Sequence, residues 1–308
     1  MREILAIPFG WVLSFLYNIT SSYLLAIVLL TLIVRLCLLP TSIKQQKNSA
    51  KQVRLNAKVN KIKQKYAGNQ QKIQEETQAL YQREGFGASS MGCSSLLIQL
   101  LVMMGLYGVI YTPLTSVLNF SKQTVAGLKE ALDLVKDKST GREELDILNL
   151  FEKNSDKITD IVNSDQLAQL RELKKEFNIF GLDLTQKPDS GDPSILWIIP
   201  ILACLTALAS SLFMFFRQKK QNPEMAKNPT MGCMTFMSPV MSLMFTFMFP
   251  AGVGVYWIIS NVFSFIQQVV LTSLYSPKKV IAEQMVDETV VRRSKENMTK
   301  RRVELEKK

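Results

Sequence analysis

The chain has no histidine among its 308 residues, and only four cysteines and three tryptophans. Without histidine, the commonest general base near neutral pH and a leading metal ligand are both missing, which argues against an acid–base enzyme and against most metal sites. Cys37, Cys93, Cys204 and Cys233 all lie in or at the edge of apolar stretches. That placement argues against the disulfide framework of a small secreted domain. No G-x-x-x-x-G-K-[ST] phosphate loop is present, so neither a nucleotide nor any other cofactor is expected. A regional absence says more: five long stretches contain no Asp or Glu, and among them only one basic residue, Arg35.

Those stretches are Tyr23 to Pro40, Cys93 to Tyr111, Ile195 to Phe216, Met231 to Phe249 and Val253 to Leu274. Each approaches the ~20 residues a helix needs to cross ~30 Å of hydrocarbon. The pattern predicts an all-α polytopic membrane protein with five transmembrane helices, at 21–41, 91–112, 194–216, 231–249 and 253–274. An earlier apolar segment within 1–20 is shorter and contains Pro8 and Gly10; it reads as an interfacial amphipathic helix. It lacks the basic start and small-residue cleavage site of a removable signal peptide.

Charge between the runs sets the orientation. Residues 41–90 hold ten Lys/Arg against three acids, 217–230 four against one, and 275–308 ten against six, whereas 112–194 hold eleven against fifteen. Basic flanks stay in the cytoplasm. The N-terminus is therefore expected outside and the C-terminus inside, with a tight external turn at 250–254 joining the last two spans as a hairpin. Pro250, Gly252 and Gly254 suit that turn.

The soluble pieces read as helical. Residues 42–90 form a basic cytoplasmic helical hairpin broken at Gly68-Asn69, with Leu55, Val59, Ile62 and Tyr66 at helical spacing. It reads either as an antenna for an acidic partner, such as ribosomal RNA or anionic lipid, or as a solvated face that obeys the positive-inside rule. The extracytoplasmic segment 113–193 has amphipathic patterns at 125–135, 145–151 and 167–177, and reads as a small helical cap over the outer ends of the spans. The basic tail 275–308 reads as disordered or loosely helical, and its Arg/Lys clusters suit anionic lipid or RNA phosphates.

Arg35 stands about five residues from the cytoplasmic end of its span, with Thr31 one turn away. A guanidinium at mid-membrane costs roughly 2.5–3.5 kcal/mol on insertion scales, less near an end, where its long stem can also snorkel to head groups. In the fifth span Trp257, Asn261, Ser264 and Gln268 share one helical face, flanked by Ser260 and Gln267; the second offers Ser95 and Gln99 at i, i+4. Such faces either line a wet cavity or bond one helix to another. Because no span offers a carboxylate, a transient anionic visitor is the expected counter-ion of Arg35. Along the fourth span Met234, Met237, Met241, Met244 and Met248 recur at a/d spacing. That stripe reads as core packing or as an adaptable apolar surface.

Four stretches, taken in order, resemble the YidC-type membrane protein insertase family, which also serves mitochondria and chloroplasts. They are the first span from Leu30 to Pro40 with Ile43-Lys-Gln-Gln46, Met91 to Gln99, Gly181-Leu-Asp-Leu-Thr185, and Phe249-Pro-Ala-Gly-Val-Gly-Val-Tyr-Trp257 running on to Asn261 and Gln267-Gln268. The resemblance is to the five-span Gram-positive, clostridial-like members. It implies five helices around a hydrophilic groove, with Arg35 receiving the polar tail of a nascent membrane protein and the methionine stripe serving as the slide by which an apolar helix leaves for lipid. The implied location is the bacterial cell membrane, and the implied partners are nascent membrane proteins met by a monomer. The ribosome through hairpin and tail, anionic lipids, the Sec translocon and the signal recognition particle pathway stand as further candidate partners. Two departures are visible: Ser94-Ser95 stand where the family often has proline, and the long external segment follows the second span. The rival classes are a small-solute or anion transporter using Arg35, which predicts internal repeats and paired broken spans that are not seen, and an intramembrane enzyme, which lacks an acid–base pair.

Overall fold

The computed structural model describes residues 2–85, 93–134, 141–189, 191–221 and 229–306, and within these the side chains except at 2–5, 93–100, 229–234 and 304. The chain is an all-α membrane protein relieved, among the described residues, by one two-stranded hairpin. It divides into two compact units, one of Met1–Leu38 with Leu97–Ile266, the other of Leu39–Leu96 with Gln267–Lys308.

In the first unit, α1 (Arg2–Thr20) packs along α2 (Tyr23–Cys37), burying Leu13 and Leu16 against Ala26, Ile27 and Leu30. Its other face exposes Ile7, Trp11, Phe15 and Ile19, one per turn. After α5 (Cys93–Tyr111) come five short helices, α6 (Pro113–Ser116), α7 (Lys122–Ala131), α8 (Glu143–Leu150), α9 (Ser155–Ile158) and α10 (Ser164–Glu176). Three of them fall where the amphipathic patterns predict. Asn163 and Gln166 cap the start of α10 reciprocally, satisfying two backbone N–H groups at once. Leu128, Leu145, Ile147, Leu148, Phe151, Ile158, Leu170, Leu173 and Phe177 are each 1% exposed or less, so this segment has a true apolar core.

The segment also meets the starts of the long apolar helices. The Tyr23 backbone N–H, at the start of α2, donates to Glu176 Oε2 at 3.0 Å, and the Tyr23 ring stacks on Phe177 with centroids 4.3 Å apart. Strands β1 (Asn178–Ile179) and β2 (Leu182–Asp183) follow, and β2 packs beside the 3-10 turn Ile195–Trp197 that opens α11 (Ile198–Gln221). At the start of α13 (Ala251–Leu274), the N–H groups of Ala251 and Gly252 donate to the carbonyls of Gln186 and Leu184, each at 2.8 Å. Helix starts leave N–H groups without intrahelical partners; the 113–193 segment supplies acceptors to two of these three helices.

The tightest helix pair is α11 with α12 (Pro229–Met248). Small residues allow it: Ala203 and Ala207 on α11 face Pro239, Ser242 and Thr246 on α12, and Ser242 Oγ donates to the Ala203 carbonyl at 3.2 Å. The sequence-based expectation pairs α12 and α13 as a hairpin; here α12 is seated chiefly on α11, with Phe245 reaching the Trp257 ring of α13 at 5.7 Å. A Cβ at Gly254 would collide with Ile199, so glycine is what lets α13 approach α11. Among the described residues Ile195–Gln221 and Ala251–Leu274 are long and apolar enough to cross a membrane, with a third span if Tyr23–Cys37 and Leu39–Lys65 are read as one broken at Leu38. The backbone of α5 runs 19 residues and that of α12 runs 20.

The second unit holds α3 (Leu39–Lys65), α4 (Gln70–Arg83) and α14 (Pro277–Glu306). The break at Gly68-Asn69 is as the sequence predicts: Gly68 takes φ +90°, and Asn69 caps α4 by accepting the Lys72 N–H at 3.1 Å. Of the two readings of the tail, disordered or loosely helical, the structure has the helical one. It is a 30-residue helix with Pro277 in its first turn and Val280 buried, lying on α3 through two bonds from Arg54 to Glu288 at 2.8 and 3.1 Å. After Pro277 the tail has neither Gly nor Pro to break a helix, and i, i+4 pairs such as Arg292–Glu296 support it.

Candidate functional site

Arg35 lies in the last turn of α2 and is half-buried. Its Nη2 donates to the Ser260 hydroxyl at 2.6 Å and to the Ser260 carbonyl at 3.1 Å. The same carbonyl accepts the Ser264 hydroxyl at 2.7 Å, and the buried Tyr256 stands one turn before Ser260 on the same helix. Arg35 is thus held at Ser260, on the 256–260–264 row of α13. Among the described residues no carboxylate pairs with it.

The other sequence-predicted residues are distributed differently. Thr31 is buried and donates to the Ile27 carbonyl of its own helix at 2.7 Å, so its hydroxyl is spent on the backbone. Asn261 points to α11, its Nδ2 lying 3.3 Å from both the Ala203 carbonyl and Thr206 Oγ1. Trp257 packs on Phe245. Gln268 belongs to the second unit, where its carbonyl accepts the Thr272 hydroxyl at 2.6 Å. Ser95 and Gln99 sit on the α5 backbone, but their side chains lie outside the described residues. Of the predicted set, Arg35 and Ser264 meet through Ser260, a residue that sequence spacing put on the flank; Tyr256 was not singled out at all. The signal that could have found it is the i, i+4 relation of Tyr256 to Ser260.

The methionine stripe resolves more clearly. Met237, Met241, Met244 and Met248 are between 40% and 58% exposed, beside exposed Phe236 and Val240; the Met234 side chain lies outside the described residues. The buried face of α12 is instead Pro239, Ser242 and Thr246. These four methionines are therefore an outward apolar surface and not core.

Among the described residues, then, a half-buried arginine is bonded to a neutral polar residue of α13, and α12 presents an exposed methionine face. A family model, the 60Kd inner membrane protein, matches residues 15–279. The chain belongs to that family, the YidC-type insertase family of the sequence resemblance. It is 24% identical over 299 residues to Membrane protein insertase YidC 2 of Listeria innocua, covering 94% of this chain and 79% of that protein. To Membrane protein insertase MisCA of Bacillus subtilis it is 25% identical, covering 84% and 74% of the two chains. To Membrane protein insertase YidC of Clostridium perfringens it is also 25% identical, covering 88% and 87%.

Proposed function

We propose that this protein is a membrane protein insertase that spans a bacterial cell membrane five times, receives the polar tail of a nascent membrane protein at Arg35, and releases the apolar helix into lipid along α12. The observation that carries this reading is the state of Arg35, which is bonded to a serine hydroxyl and a carbonyl with no carboxylate in its pairing. A guanidinium has five N–H donors, and Ser260 engages two. A passing carboxylate meets a charge-assisted partner in a setting of reduced dielectric, where attraction is stronger than in water. Burial of the arriving apolar helix in lipid then drives release. The exposed methionines support the slide, since flexible thioethers adapt to many apolar surfaces.

The orientation has support of its own. The external segment meets the N-terminal ends of α2, α11 and α13, the first, third and fifth of the proposed spans. Alternating direction requires those three to start on one side, and the acidic balance of 112–194 puts that side outside. Hairpin and tail then lie in the cytoplasm, where their basic surfaces suit ribosomal RNA and anionic head groups, and where the Sec translocon and signal recognition particle pathway are further candidate partners of a monomer.

The test is insertion into proteoliposomes of a single-span protein with an acidic N-tail. Arg35→Ala is expected to cut insertion by roughly tenfold, the loss of one charge-assisted hydrogen bond, while Arg35→Lys keeps most of it. A substrate with a neutral tail is expected to be far less affected. Undiminished insertion by Arg35→Ala sinks the charge argument, and Arg35-dependent uptake of small anions favours a transporter.

A further inference from the structure

Where α10 hands over to the third span, the chain makes its one two-stranded hairpin among the described residues, with Ile179 paired to Leu182 and Phe180-Gly181 as the turn. Phe180 takes φ +53° and Gly181 φ +80°. Two successive left-handed residues are what a tight two-residue hairpin requires, and the residue that suits the first place is Asn, Asp or Gly. A bulky aromatic there is a genuine outlier, because its side chain crowds the backbone.

Phe180 is also 93% exposed. The flanking pair shows the contrast: Ile179 and Leu182 both pack against the core of the first unit. Strain and exposure at one residue, with its ring left almost wholly open by the described residues, indicate a contact made outside the chain.

The fold says which surface lies there. Phe177, three residues before, stacks on Tyr23 at the start of the first span. Leu184, four residues after, accepts the Gly252 N–H at the start of the fifth. Strand β2 packs beside Ile195–Trp197 at the start of the third, where Ile195 is exposed too. The turn is therefore tied within a few residues to the same end of three apolar helices. At ~3.3 Å per residue of strand, its tip stands within roughly a dozen ångströms of them. That is the level of the head groups, where Trp and Tyr concentrate in membrane proteins and where phenylalanine enters on the apolar faces of interfacial segments.

We propose that Phe180 is an interfacial anchor: the hairpin holds its ring out into the head-group and upper acyl region of the outer leaflet, fixing the external segment against the bilayer. The occupant of this surface is lipid, and the anchor works whether or not a substrate is present.

The full chain is reconstituted in vesicles of phosphatidylglycerol and phosphatidylethanolamine with Phe180 replaced by the photoreactive p-benzoylphenylalanine. Irradiation is expected to give mainly phospholipid adducts, severalfold above those from the same replacement at exposed Glu152. In parallel, Phe180→Trp is compared with the parent, which carries Trp11, Trp197 and Trp257. The emission it adds is expected to be quenched at least twofold more by lipids brominated high on the chain than by aqueous iodide. Adducts to protein, adducts no more frequent than at Glu152, or emission quenched chiefly by iodide each overturn the anchor. The tryptophan measurement keeps the test decisive if the larger photoreactive side chain disturbs the turn.

Discussion

The 113–193 segment, which we propose lies outside, and the hairpin with its tail, which we propose lie in the cytoplasm, are both built of amphipathic helices, yet opposite forces hold them. The first buries a cluster led by Leu145, Phe151, Leu170, Leu173 and Phe177, and uses that rigidity to set the starts of α2 and α13. The second buries little at its contact, with Ala50, Leu55, Val59 and Val280 as its small apolar centre, and relies on Arg54–Glu288 and Lys58–Glu84 at the surface. Apolar burial is unaffected by salt and unforgiving of lost volume, whereas exposed ion pairs are screened and weak. One half is thus suited to hold helices in place, and the other to open and close its contacts.

The sharpest way to break this comparison is to remove volume from the external core. Phe177→Ala takes away a ring that is fully buried and stacked on Tyr23, and is expected to cost about 3–5 kcal/mol. Thermal unfolding in detergent, scored by protease cutting within 113–193, is expected to shift down by a similar amount at low and at high salt. A loss that depends on salt would contradict apolar control of this segment.

A second, smaller effect concerns pH. Glu144 is buried in the same segment; burial pushes its carboxyl above the usual range, partly opposed by the N–H and hydroxyl of Thr115 at 3.0 and 2.7 Å. An acid whose folded pKa is raised binds its proton more tightly in the folded state. Its contribution therefore favours folding at low pH and declines as pH rises from the ordinary glutamate value to the raised one. Glu144→Gln is expected to flatten that decline, read as the parent-minus-variant difference in Tm between about pH 4 and about pH 8. A difference that grows in the parent's favour as pH rises would reverse the assignment.

The smallest effect is expected in the second unit. Raising salt from about 0.1 M to about 1 M shortens the screening length from ~10 Å to ~3 Å, and is expected to loosen α14 from α3 while leaving the external segment unchanged. Spin labels at Lys47 and Glu283, read as a distance distribution, are expected to broaden with salt. In Arg54→Ala the broadening is expected already at low salt. A distribution that ignores both salt and the substitution would show that the small apolar centre is sufficient there.

Much of this architecture was legible in the chain. The hairpin break at Gly68-Asn69, the three amphipathic helices of the external segment and the apolar runs follow from local periodicity and turn chemistry. Arg35 stood out because a lone charge in an apolar run has few explanations. The tail's helix is one of the two readings its charge allows, and nothing local reveals that Arg54 lies opposite Glu288. For Asn261 and Thr31, spacing shows that residues share a face but not which neighbour that face meets.

By itself the sequence determined that these helices form, that none of the apolar runs carries a carboxylate, and that α12 has a methionine face. Each depends on residues within a few turns of one another, where period, composition and capping decide. Only the tertiary structure decided that α13 is turned to offer Ser260 to Arg35, that the methionines look outward because small residues seat α12 on α11, and that the 113–193 segment meets three helix starts. Successive residues of a helix differ in direction by ~100°, so a modest rotation exchanges one row for its neighbour. Packing between segments far apart in the chain sets that rotation.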